Sequence, residues 1–352
     1  MNKIKTAVIG VGHLGKHHAR WYKNIKEAEL VGVYDVDQDK CRQVALEWGV
    51  TAFSDISEIF GKIEAASIAV PTNAHFSVAS EFLKEKIHCL IEKPITATFG
   101  EAETLMNLAK KNNVTLAVGH IERFNPAVQA LKKYDIRPRF IEAHRLASFD
   151  PRGADVAVIL DLMIHDIELS LHLVKSKVGK IEASAVAVIS ETADIANARL
   201  TFENGTVANL TASRISLRPM RKLRIFQKSG YFSLDLAEKQ ADIYRLADER
   251  PRDDEGMRFP LGKSGKDIIY KKAGNKDEDM LGMELTDFLL AIKMDRPPEV
   301  TAESAVEADS SSSSSSSLSS CVGLSKTLCS PPAFIVRPAV VAVTNISRAL
   351  AP

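Results

Sequence analysis

The sequence predicts an α/β fold in which a doubly wound parallel sheet is followed by an α+β domain with a mostly antiparallel sheet. Three observations predict it. Short apolar runs alternate with helical patterns over residues 1–121, and a glycine-rich turn joins the first run to the first helix. Later in the chain the pattern changes to alternating segments separated by hairpin turns. We therefore expect one domain at 1–121, a second at 122–309 and a tail at 310–352.

Five near-continuous apolar runs predict parallel strands that helices cover on both faces. These runs are residues 4–9, 30–34, 66–70, 89–91 and 115–118. Helical patterns lie between them, at residues 14–25, 39–48, 74–86 and 99–112, and the last follows a capping-box pair, Thr98 and Glu101. Because such strand–helix–strand units cross over right-handed, they predict the doubly wound sheet of a Rossmann domain.

The turn after the first strand has the spacing Gly-x-Gly-x-x-Gly, at Gly10, Gly12 and Gly15. The first glycine permits a tight turn, the second lets a diphosphate approach the backbone, and the third lets helix and strand pack closely. The N–H groups and positive dipole end of the following helix would face that anion. We predict that this turn, with His13 and Leu14, binds a dinucleotide; the alternative is a purely structural turn.

Asp35 lies twenty residues after Gly15, at the end of the second predicted strand. A carboxylate in that place accepts hydrogen bonds from the adenosine ribose and repels a 2′-phosphate, so the sequence favours NAD over NADP as cofactor. The alternative is that Asp35 only caps the helix that follows.

Glu92, Lys93 and Pro94 follow the apolar run at 89–91. Residues just past the carboxyl ends of parallel strands line the ligand crevice, so Glu92 and Lys93 are candidates for cofactor contact and Lys93 is placed to polarise a reacting hydroxyl or ketone. Pro94 makes Lys93 extended, with a cis peptide bond as one option. A solvated lysine before a turn is the structural alternative.

The stretch that closes the preceding strand reaches the same edge of the sheet. Pro71, Thr72 and His75 are candidates for cofactor contact there, although His75 can also only cap the next helix. Between the two domains, Arg123 and Asn125 are candidates for substrate contact, because ligand sites favour domain junctions and arginine suits an anionic or sugar ligand. The alternative there is a hinge with helix caps.

The second domain begins with a long helical pattern at 159–173 that carries Asp161 and His165. A spacing of four places both on one helix face. Imidazole suits proton transfer near neutral pH and a carboxylate can orient it, so the pair is a candidate acid/base. The alternatives are a capping aspartate with a packed histidine, or a metal site that lacks a third ligand in the motif.

The rest of the second domain alternates polar and apolar residues, with a strong hairpin turn at Asn204-Gly205. Strands are predicted at residues 182–190, 196–202, 206–213, 222–227, 231–235 and 241–244. Residues 248–279 are predicted as a long polar loop and 281–292 as a helix. Eight serines at 310–317 predict a flexible linker, although an altered reading frame would also produce such a run.

Composition and charge exclude several classes of partner. The 352 residues are 45% hydrophobic and 26% charged, an ordinary globular composition. The formal net charge of +1 gives no reason to expect a nucleic acid or a membrane surface. No apolar stretch approaches the roughly 18 residues of a membrane span, so we expect a cytoplasmic protein. The four cysteines lack paired spacing, and we expect reduced, buried thiols at Cys41 and Cys89 and no metal.

Three motifs in this order resemble the Gfo/Idh/MocA oxidoreductases: the glycine turn at 10–15, the triplet at 92–94 and the segment at 161–166. The resemblance covers residues 1–308. It implies a Rossmann domain and a C-terminal domain with an open-faced sheet, often used to form dimers or tetramers. In the family an apolar helix returns to the Rossmann domain, and the chain past Asp309 lacks one.

The resemblance also implies roles for single residues. Lys93 would contact the reacting hydroxyl, His165 would act as general acid/base, and Asp161 would bind or orient the substrate. Within the family, residues 119–126 and 161–168 look closest to the branch that oxidises UDP-N-acetylglucosamine at C3.

We therefore expect an NAD-dependent dehydrogenase that oxidises a secondary hydroxyl of a small-molecule sugar by passing a hydride to nicotinamide. A nucleotide sugar is the expected substrate. A homodimer or homotetramer through the C-terminal sheet is also expected. The alternatives are an inositol, polyol or dihydrodiol dehydrogenase of the same family, or a non-catalytic regulator that senses NAD.

Overall fold

The computed structural model describes residues 3–150, 156–247, 256–261 and 266–302. These residues form two compact units. The first unit runs through Phe124 and takes up the chain again from Glu278, and the second runs from Asn125 to Asp277. The expected tail at 310–352, with its serine run and its lack of a returning helix, lies outside the described residues.

The first unit is built on a six-stranded parallel sheet. Its strands are β1 (Ile4–Ile9), β2 (Ala28–Tyr34), β3 (Thr51–Ala52), β4 (Ala65–Ile68), β5 (His88–Glu92) and β6 (Leu116–Gly119). They lie side by side in the order β3-β2-β1-β4-β5-β6. Strands β1 to β3 are added toward one edge of the sheet and strands β4 to β6 toward the other, so the order changes direction between β1 and β4. This is the doubly wound topology that the sequence predicted. Only the two-residue β3 was not foreseen.

Four helices connect these strands: α1 (Gly15–Asn24), α2 (Gln38–Trp48), α3 (Thr72–Lys84) and α4 (Phe99–Asn112). The capping box predicted for α4 is confirmed, because the Thr98 side chain accepts from the Glu101 N–H while the Glu101 carboxylate accepts from the Thr98 N–H. Helix α2 is capped by Asp37 and ends at Gly49 in the left-handed conformation. None of the described helices is long and apolar enough to cross a membrane.

The described residues of the second unit form a nine-stranded sheet and two α-helices, α5 (Pro126–Gln129) and α6 (Ile164–Val174). Its strands are β7 (Phe140–Leu146), β8 (Val178–Val186), β9 (Ile195–Phe202), β10 (Val207–Ser213), β11 (Met220–Gln227), β12 (Gly230–Asp235), β13 (Gln240–Leu246), β14 (Met257–Pro260) and β15 (Asp267–Gly274). Their order is β14-β15-β13-β12-β11-β7-β10-β9-β8. Within the described part of this second sheet, only β7 and β10 pair in parallel, so the prediction of a mostly antiparallel sheet is confirmed.

The two faces of this sheet differ. On one face, inward side chains such as Ile141 and Leu210 are fully buried and share a core with Ile167 of α6. The other face carries a row of half-buried or exposed rings across five strands, which we call the aromatic row: Phe140, Phe226, Tyr231, Tyr244 and Tyr270. Neighbouring ring centroids are 4.8 to 5.9 Å apart. The residues that the structure describes therefore cover this sheet on one face only.

Helix α7 (Met280–Lys293) belongs to the first unit. Its side chains Leu285, Phe288 and Leu289 are no more than 1% exposed and share a core with Tyr22 of α1. The expected boundaries at 122–309 placed this helix in the second domain. The structure differs because the apolar face of α7 completes the core on one side of the parallel sheet.

Two predictions for the second unit were wrong. Strand β7, near the middle of the sheet, was not predicted at all, because its sequence alternates with Glu142, His144 and Arg145 and carries no apolar run. The long loop predicted at 248–279 contains β14 and β15. Every residue of β14 is exposed, as is common for a strand at a sheet edge. The strand is only four residues long and ends in a proline, so its sequence, Met-Arg-Phe-Pro, did not indicate a strand.

Candidate functional site

Three glycines shape the turn after β1. Gly10 has a φ of +85°, and a Cβ there would lie 2.7 Å from the carbonyl oxygen of Ala69. A Cβ on Gly15 would collide with the carbonyl oxygen of Gly10. A Cβ on Gly12 would meet no described atom within 4 Å. Two of the glycines are thus required by packing, and the middle one leaves its backbone open to a ligand.

Helix α1 starts directly after this turn. The residue before it is Leu14, whose aliphatic side chain cannot cap the first N–H groups and is 49% exposed. The N–H groups of the first helical turn and the positive end of the helix dipole therefore suit a bound diphosphate. The turn, with exposed Gly12 and His13, fits the dinucleotide that the sequence predicted there.

Asp35 lies at the end of β2 and is half-buried. Its Oδ2 accepts a 2.7 Å hydrogen bond from the Val11 N–H, and its Oδ1 accepts one of 2.9 Å from the Asp37 N–H. The helix cap that the alternative interpretation gave to Asp35 is made by Asp37, which accepts from the Lys40 N–H at 3.2 Å. Asp35 therefore braces the glycine turn, and its predicted contact with the ribose stays a prediction.

Lys93 follows the last residue of β5 and is half-buried. The Lys93–Pro94 peptide bond is cis. The Lys93 N–H donates to Oε2 of Glu92 at 3.3 Å. Lys93 thus lies at the carboxyl edge of the parallel sheet, the edge at which ligands bind in open α/β folds.

The residues predicted beside Lys93 at this edge have different surroundings. Pro71 precedes α3, and Thr72 is its first residue. His75 is 1% exposed, and its Nδ1 lies 2.9 Å from the carbonyl oxygen of Pro94 while its Nε2 lies 2.8 Å from that of Val70. The ring of His75 therefore lies between the ends of two strands, within hydrogen-bond distance of a carbonyl oxygen on each side, a place that the sequence did not predict.

A buried chain of polar groups leads from α1 to the end of β5. Nε2 of His18 lies 2.9 Å from Oε1 of Glu92, and its Nδ1 lies 3.1 Å from Oγ of Ser67. Burial alone would raise the pKa of Glu92, but the hydrogen bond from His18, together with the N–H and charge of Lys93, holds that pKa below its usual value. Glu92 is therefore a carboxylate with fixed partners.

Arg123 and Asn125, the predicted substrate contacts, are both buried. Arg123 is 4% exposed. The Asn125 Nδ2 donates to the carbonyl oxygen of Leu236 at 2.9 Å, and its Oδ1 accepts from the Ala127 N–H at 3.1 Å. Asn125 thus caps α5, as the alternative interpretation expected. The substrate contacts of both residues stay predictions.

The predicted helix at 159–173 begins with a π-helical turn, Ile159–Met163, that continues into α6. Asp161 lies in the π-helical turn and His165 in the first turn of α6, and both are half-buried. Single π-helical turns within helices often mark functional sites, because they change the direction of the side chains they carry. The structure keeps the two predicted residues on one continuous helix.

Arg145 of β7 and Asp166 of α6 form a buried ion pair next to His165. Neither His18 nor Arg145 was singled out from the sequence, although a signal existed for each. His18 lies three residues after Gly15, so it shares the helix face that packs on the sheet. Arg145 lies at an inward position of its strand, where an arginine requires a buried partner.

Comparison with known proteins places both units. Residues 4–120 match the GFO_IDH_MocA oxidoreductase family with an NAD-binding Rossmann fold, and residues 137–233 match the GFO/IDH/MocA C-terminal domain. The chain is 39% identical over 305 residues to UDP-N-acetylglucosamine 3-dehydrogenase of Acidithiobacillus ferrooxidans, which covers 84% of this chain and 91% of that protein. It is 24% identical over 319 residues to myo-inositol 2-dehydrogenase of Thermotoga maritima, covering 85% of this chain and 91% of that protein.

Solved structures give the same result. A structure of the Acidithiobacillus ferrooxidans UDP-N-acetylglucosamine 3-dehydrogenase matches with a TM-score of 0.77 at 38% identity, covering 86% of this chain and 93% of that one. An oxidoreductase from Agrobacterium radiobacter in complex with NAD+, L-tartaric acid and magnesium matches with a TM-score of 0.72 at 15% identity, covering 86% and 92% of the two chains. The second likeness concerns the fold alone.

Proposed function

Because the chain belongs to the GFO/IDH/MocA family of oxidoreductases, whose first domain is an NAD-binding Rossmann fold, we propose that it oxidises a nucleotide sugar, UDP-N-acetylglucosamine, at the C3 hydroxyl. The cofactor and the enzyme class follow from the family. The choice of substrate is carried by one observation, the 39% identity to UDP-N-acetylglucosamine 3-dehydrogenase over 84% of this chain and 91% of that protein.

The cofactor would be held by the edge of the parallel sheet described above. Bound NAD supplies the hydride acceptor. The glycine turn receives the diphosphate and Asp35 the adenosine ribose. The full set proposed for cofactor contact is Gly10, Gly12, His13, Leu14, Gly15, Asp35, Pro71, Thr72, His75, Glu92 and Lys93.

Three residues would carry the proton and charge chemistry. His165 accepts the proton of the reacting hydroxyl, because neutral imidazole is a base of suitable strength and this ring is half-buried. Asp161, one turn earlier on the same helix, orients the substrate. The Lys93 ammonium stabilises the negative charge that develops on the substrate oxygen. Arg123 and Asn125 complete the proposed substrate contacts.

A polyol dehydrogenase of the same family is the second candidate. The observation that favours it is the similarity to myo-inositol 2-dehydrogenase, which spans 85% of this chain. Both candidates use the same acid/base chemistry, so they differ only in the substrate that is bound productively.

The experiment is an NADH absorbance assay of the purified protein with UDP-N-acetylglucosamine, UDP-glucose, glucose 6-phosphate and myo-inositol. We expect turnover with UDP-N-acetylglucosamine and identification of a 3-keto product by mass spectrometry. Lys93→Ala and His165→Ala should each lower kcat by roughly 10²- to 10⁴-fold while NADH still binds. The exposed Lys111→Ala serves as control. Turnover with myo-inositol alone supports the second candidate, and NADH binding without any turnover supports a sensor.

We also propose that the chain forms a homodimer or homotetramer through the open face of its antiparallel sheet. The aromatic row supports this, because five rings on one exposed face form a patch of the kind that protein interfaces bury. Tyr244→Glu should reduce the mass measured by sedimentation velocity to that of the monomer. Leu217→Glu, at a 98% exposed position away from the row, is the control. An unchanged mass for Tyr244→Glu would contradict the proposal.

A further inference from the structure

His18 is a buried histidine that the proposed chemistry does not use. It lies on α1, three residues after Gly15, and is 1% exposed. An ionised carboxylate only accepts hydrogen bonds, so the His18 Nε2 donates to Oε1 of Glu92. In the neutral ring, Nδ1 then accepts from the Ser67 hydroxyl, which in turn accepts from the Tyr22 hydroxyl at 2.8 Å. The side chains of Tyr22, Ser67, His18 and Glu92 are therefore joined by an unbroken series of hydrogen bonds.

The Glu92 carboxylate is held from two further sides. Its Oε2 accepts from the Lys93 N–H at 3.3 Å. In the register of β5 and β6, Glu92 is paired with Gly119, and a Cβ on Gly119 would lie 3.0 Å from Oε2. The carboxylate thus occupies the space that a side chain at residue 119 would fill. Its position depends on His18 and on the absence of a side chain at Gly119.

The backbone of Lys93 is fixed on both sides by buried histidines. His18 holds residue 92 through the Glu92 side chain, and His75 contacts residue 94 through the Pro94 carbonyl oxygen at 2.9 Å. A lysine side chain is long and flexible, so the place from which it extends decides where its ammonium group can reach. These contacts define that place.

We propose that His18 is a positioning residue for Lys93: by holding the Glu92 carboxylate, it fixes the backbone from which the Lys93 ammonium reaches the reacting oxygen. Because His18 is on the helix that begins at the glycine turn, the same contact links the diphosphate site to the end of β5. The inference rests on the proposed role of Lys93. A displacement of about 1 Å at a reacting group can cost roughly 100-fold in rate, which sets the size of effect to expect.

Two substitutions separate the contacts of His18. Asn places its amide near the position of Nδ1, so His18→Asn keeps a partner for Ser67 and loses the donor to Glu92. Gln reaches the position of Nε2, so His18→Gln keeps the donor to Glu92. Tyr22→Phe removes only the hydrogen bond between the Tyr22 hydroxyl and Ser67, which does not involve His18 directly, and serves as the matched control. A merely structural histidine would give losses that follow the amount of folded protein.

The first measurement is kcat and KM with UDP-N-acetylglucosamine in the full chain, with NADH binding by fluorescence. We expect His18→Asn to lower kcat by roughly 10- to 100-fold with the Kd of NADH within about two-fold of wild type. His18→Gln should recover most of kcat, and Tyr22→Phe should keep it. Unchanged kcat in His18→Asn, or equal loss in both His18 variants, overturns the proposal.

The second measurement does not need turnover. The rate at which an amine-acetylating reagent modifies Lys93, read by mass spectrometry with Lys111 as internal reference, reports the surroundings of its ammonium group. We expect a several-fold change in His18→Asn and none in Tyr22→Phe. An unchanged rate at Lys93 overturns the positioning role, whereas wild-type protein without turnover on any sugar overturns the proposed function instead.

Gly119→Ala provides a route that leaves His18 intact. Its added methyl group would lie 3.0 Å from Oε2 of Glu92 and displace the carboxylate. We expect the same loss of kcat and the same change in Lys93 acetylation as in His18→Asn. Wild-type values for both in a folded Gly119→Ala protein would overturn the proposal even if no His18 variant folds.

Discussion

Arg145 and Asp166 are joined by two hydrogen bonds in the core of the second unit, one residue from His165. Nε of Arg145 donates to Oδ2 at 3.0 Å and Nη2 donates to Oδ1 at 2.9 Å. The side chains are 4% and 3% exposed. The pair connects β7 to α6 and so fixes the helix that carries the proposed acid/base.

Arg145→Met is expected to lower the free energy of unfolding by about 3–5 kcal/mol, because it leaves the Asp166 carboxylate buried without its guanidinium partner. The double variant Arg145→Met/Asp166→Leu removes both charges and should recover most of that loss. Urea unfolding followed by circular dichroism measures both. A double variant less stable than the single one would show that the ion pair itself is not the cause.

Gly12→Ala and Gly15→Ala should have different effects, although both alter the same turn. A Cβ on Gly15 collides with the Gly10 carbonyl oxygen, so we expect loss of stability and of NADH binding together. A Cβ on Gly12 points into open space, so stability should stay within about 0.5 kcal/mol of wild type. NADH binding should weaken at least ten-fold, because the methyl group occupies the approach of the diphosphate. Thermal unfolding and NADH fluorescence titration test this.

Asp35→Ala should weaken NAD more than NADP. The variant loses the acceptor proposed for the ribose and the charge that repels a 2′-phosphate. The ratio of the KM values for the two cofactors measures it, with an expected shift of about ten-fold toward NADP. Asp37→Ala is the control: it removes the cap of α2 and costs about 1 kcal/mol of stability without changing the ratio. If Asp35→Ala weakened the binding of NAD and NADP equally, the role of Asp35 would be limited to its hydrogen bond with the Val11 N–H.

The stability that the ionised Asp194 side chain contributes should be lost in acid. Its fully buried side chain accepts three hydrogen bonds at Oδ2 from consecutive backbone N–H groups, those of Val188, Ile189 and Ser190, at 2.8, 2.6 and 2.9 Å. Burial alone would raise the pKa of Asp194, but these donors bring that pKa well below its usual range. A lowered pKa in the folded state gives stability above the unfolded pKa of about 3.9, which is lost as pH falls toward the folded value.

Asp194→Asn keeps one acceptor oxygen but no charge, and should cost about 1–3 kcal/mol at neutral pH. The difference in unfolding free energy between wild type and Asp194→Asn should be constant down to about pH 5 and narrow below about pH 4. Urea unfolding across that range tests the sign. A difference that widens in acid would mean that Asp194 is protonated in the folded protein.

Much of the first unit could be predicted from local sequence. Strands buried on both faces are continuous apolar runs, and Thr98 with Glu101 fixed the start of α4 to the residue. The membership of α7 could not be predicted, because an amphipathic helix shows that it has a buried face but not which core buries it. The same limit hid His18, whose partners Ser67 and Glu92 lie far away along the chain.

In the second unit, strand pairing depends on contacts that no short window contains. β7 pairs with β11 and β10, which follow it by more than sixty residues. The residues of the π-helical turn at Ile159–Met163 do not differ in type from those of an ordinary α-helix. The sequence therefore predicted only that Asp161 and His165 lie on one helix. The candidate site residues were predicted as residue types at strand ends, at a domain junction or on one helix, whereas several of the contacts that hold them join residues far apart in the sequence.

The discontinuity of the first unit has a consequence for biosynthesis. A ribosome releases the chain from its N-terminus, so Asn125–Asp277 has emerged before Leu285, Phe288 and Leu289 are available to the first unit. The later residues Val300 and Ala302 belong to the core on the other side of the same sheet. Both cores of the dinucleotide domain therefore become complete only after the segment that follows Asp277 has been synthesised, and a nascent chain that stops before Leu285 lacks part of each.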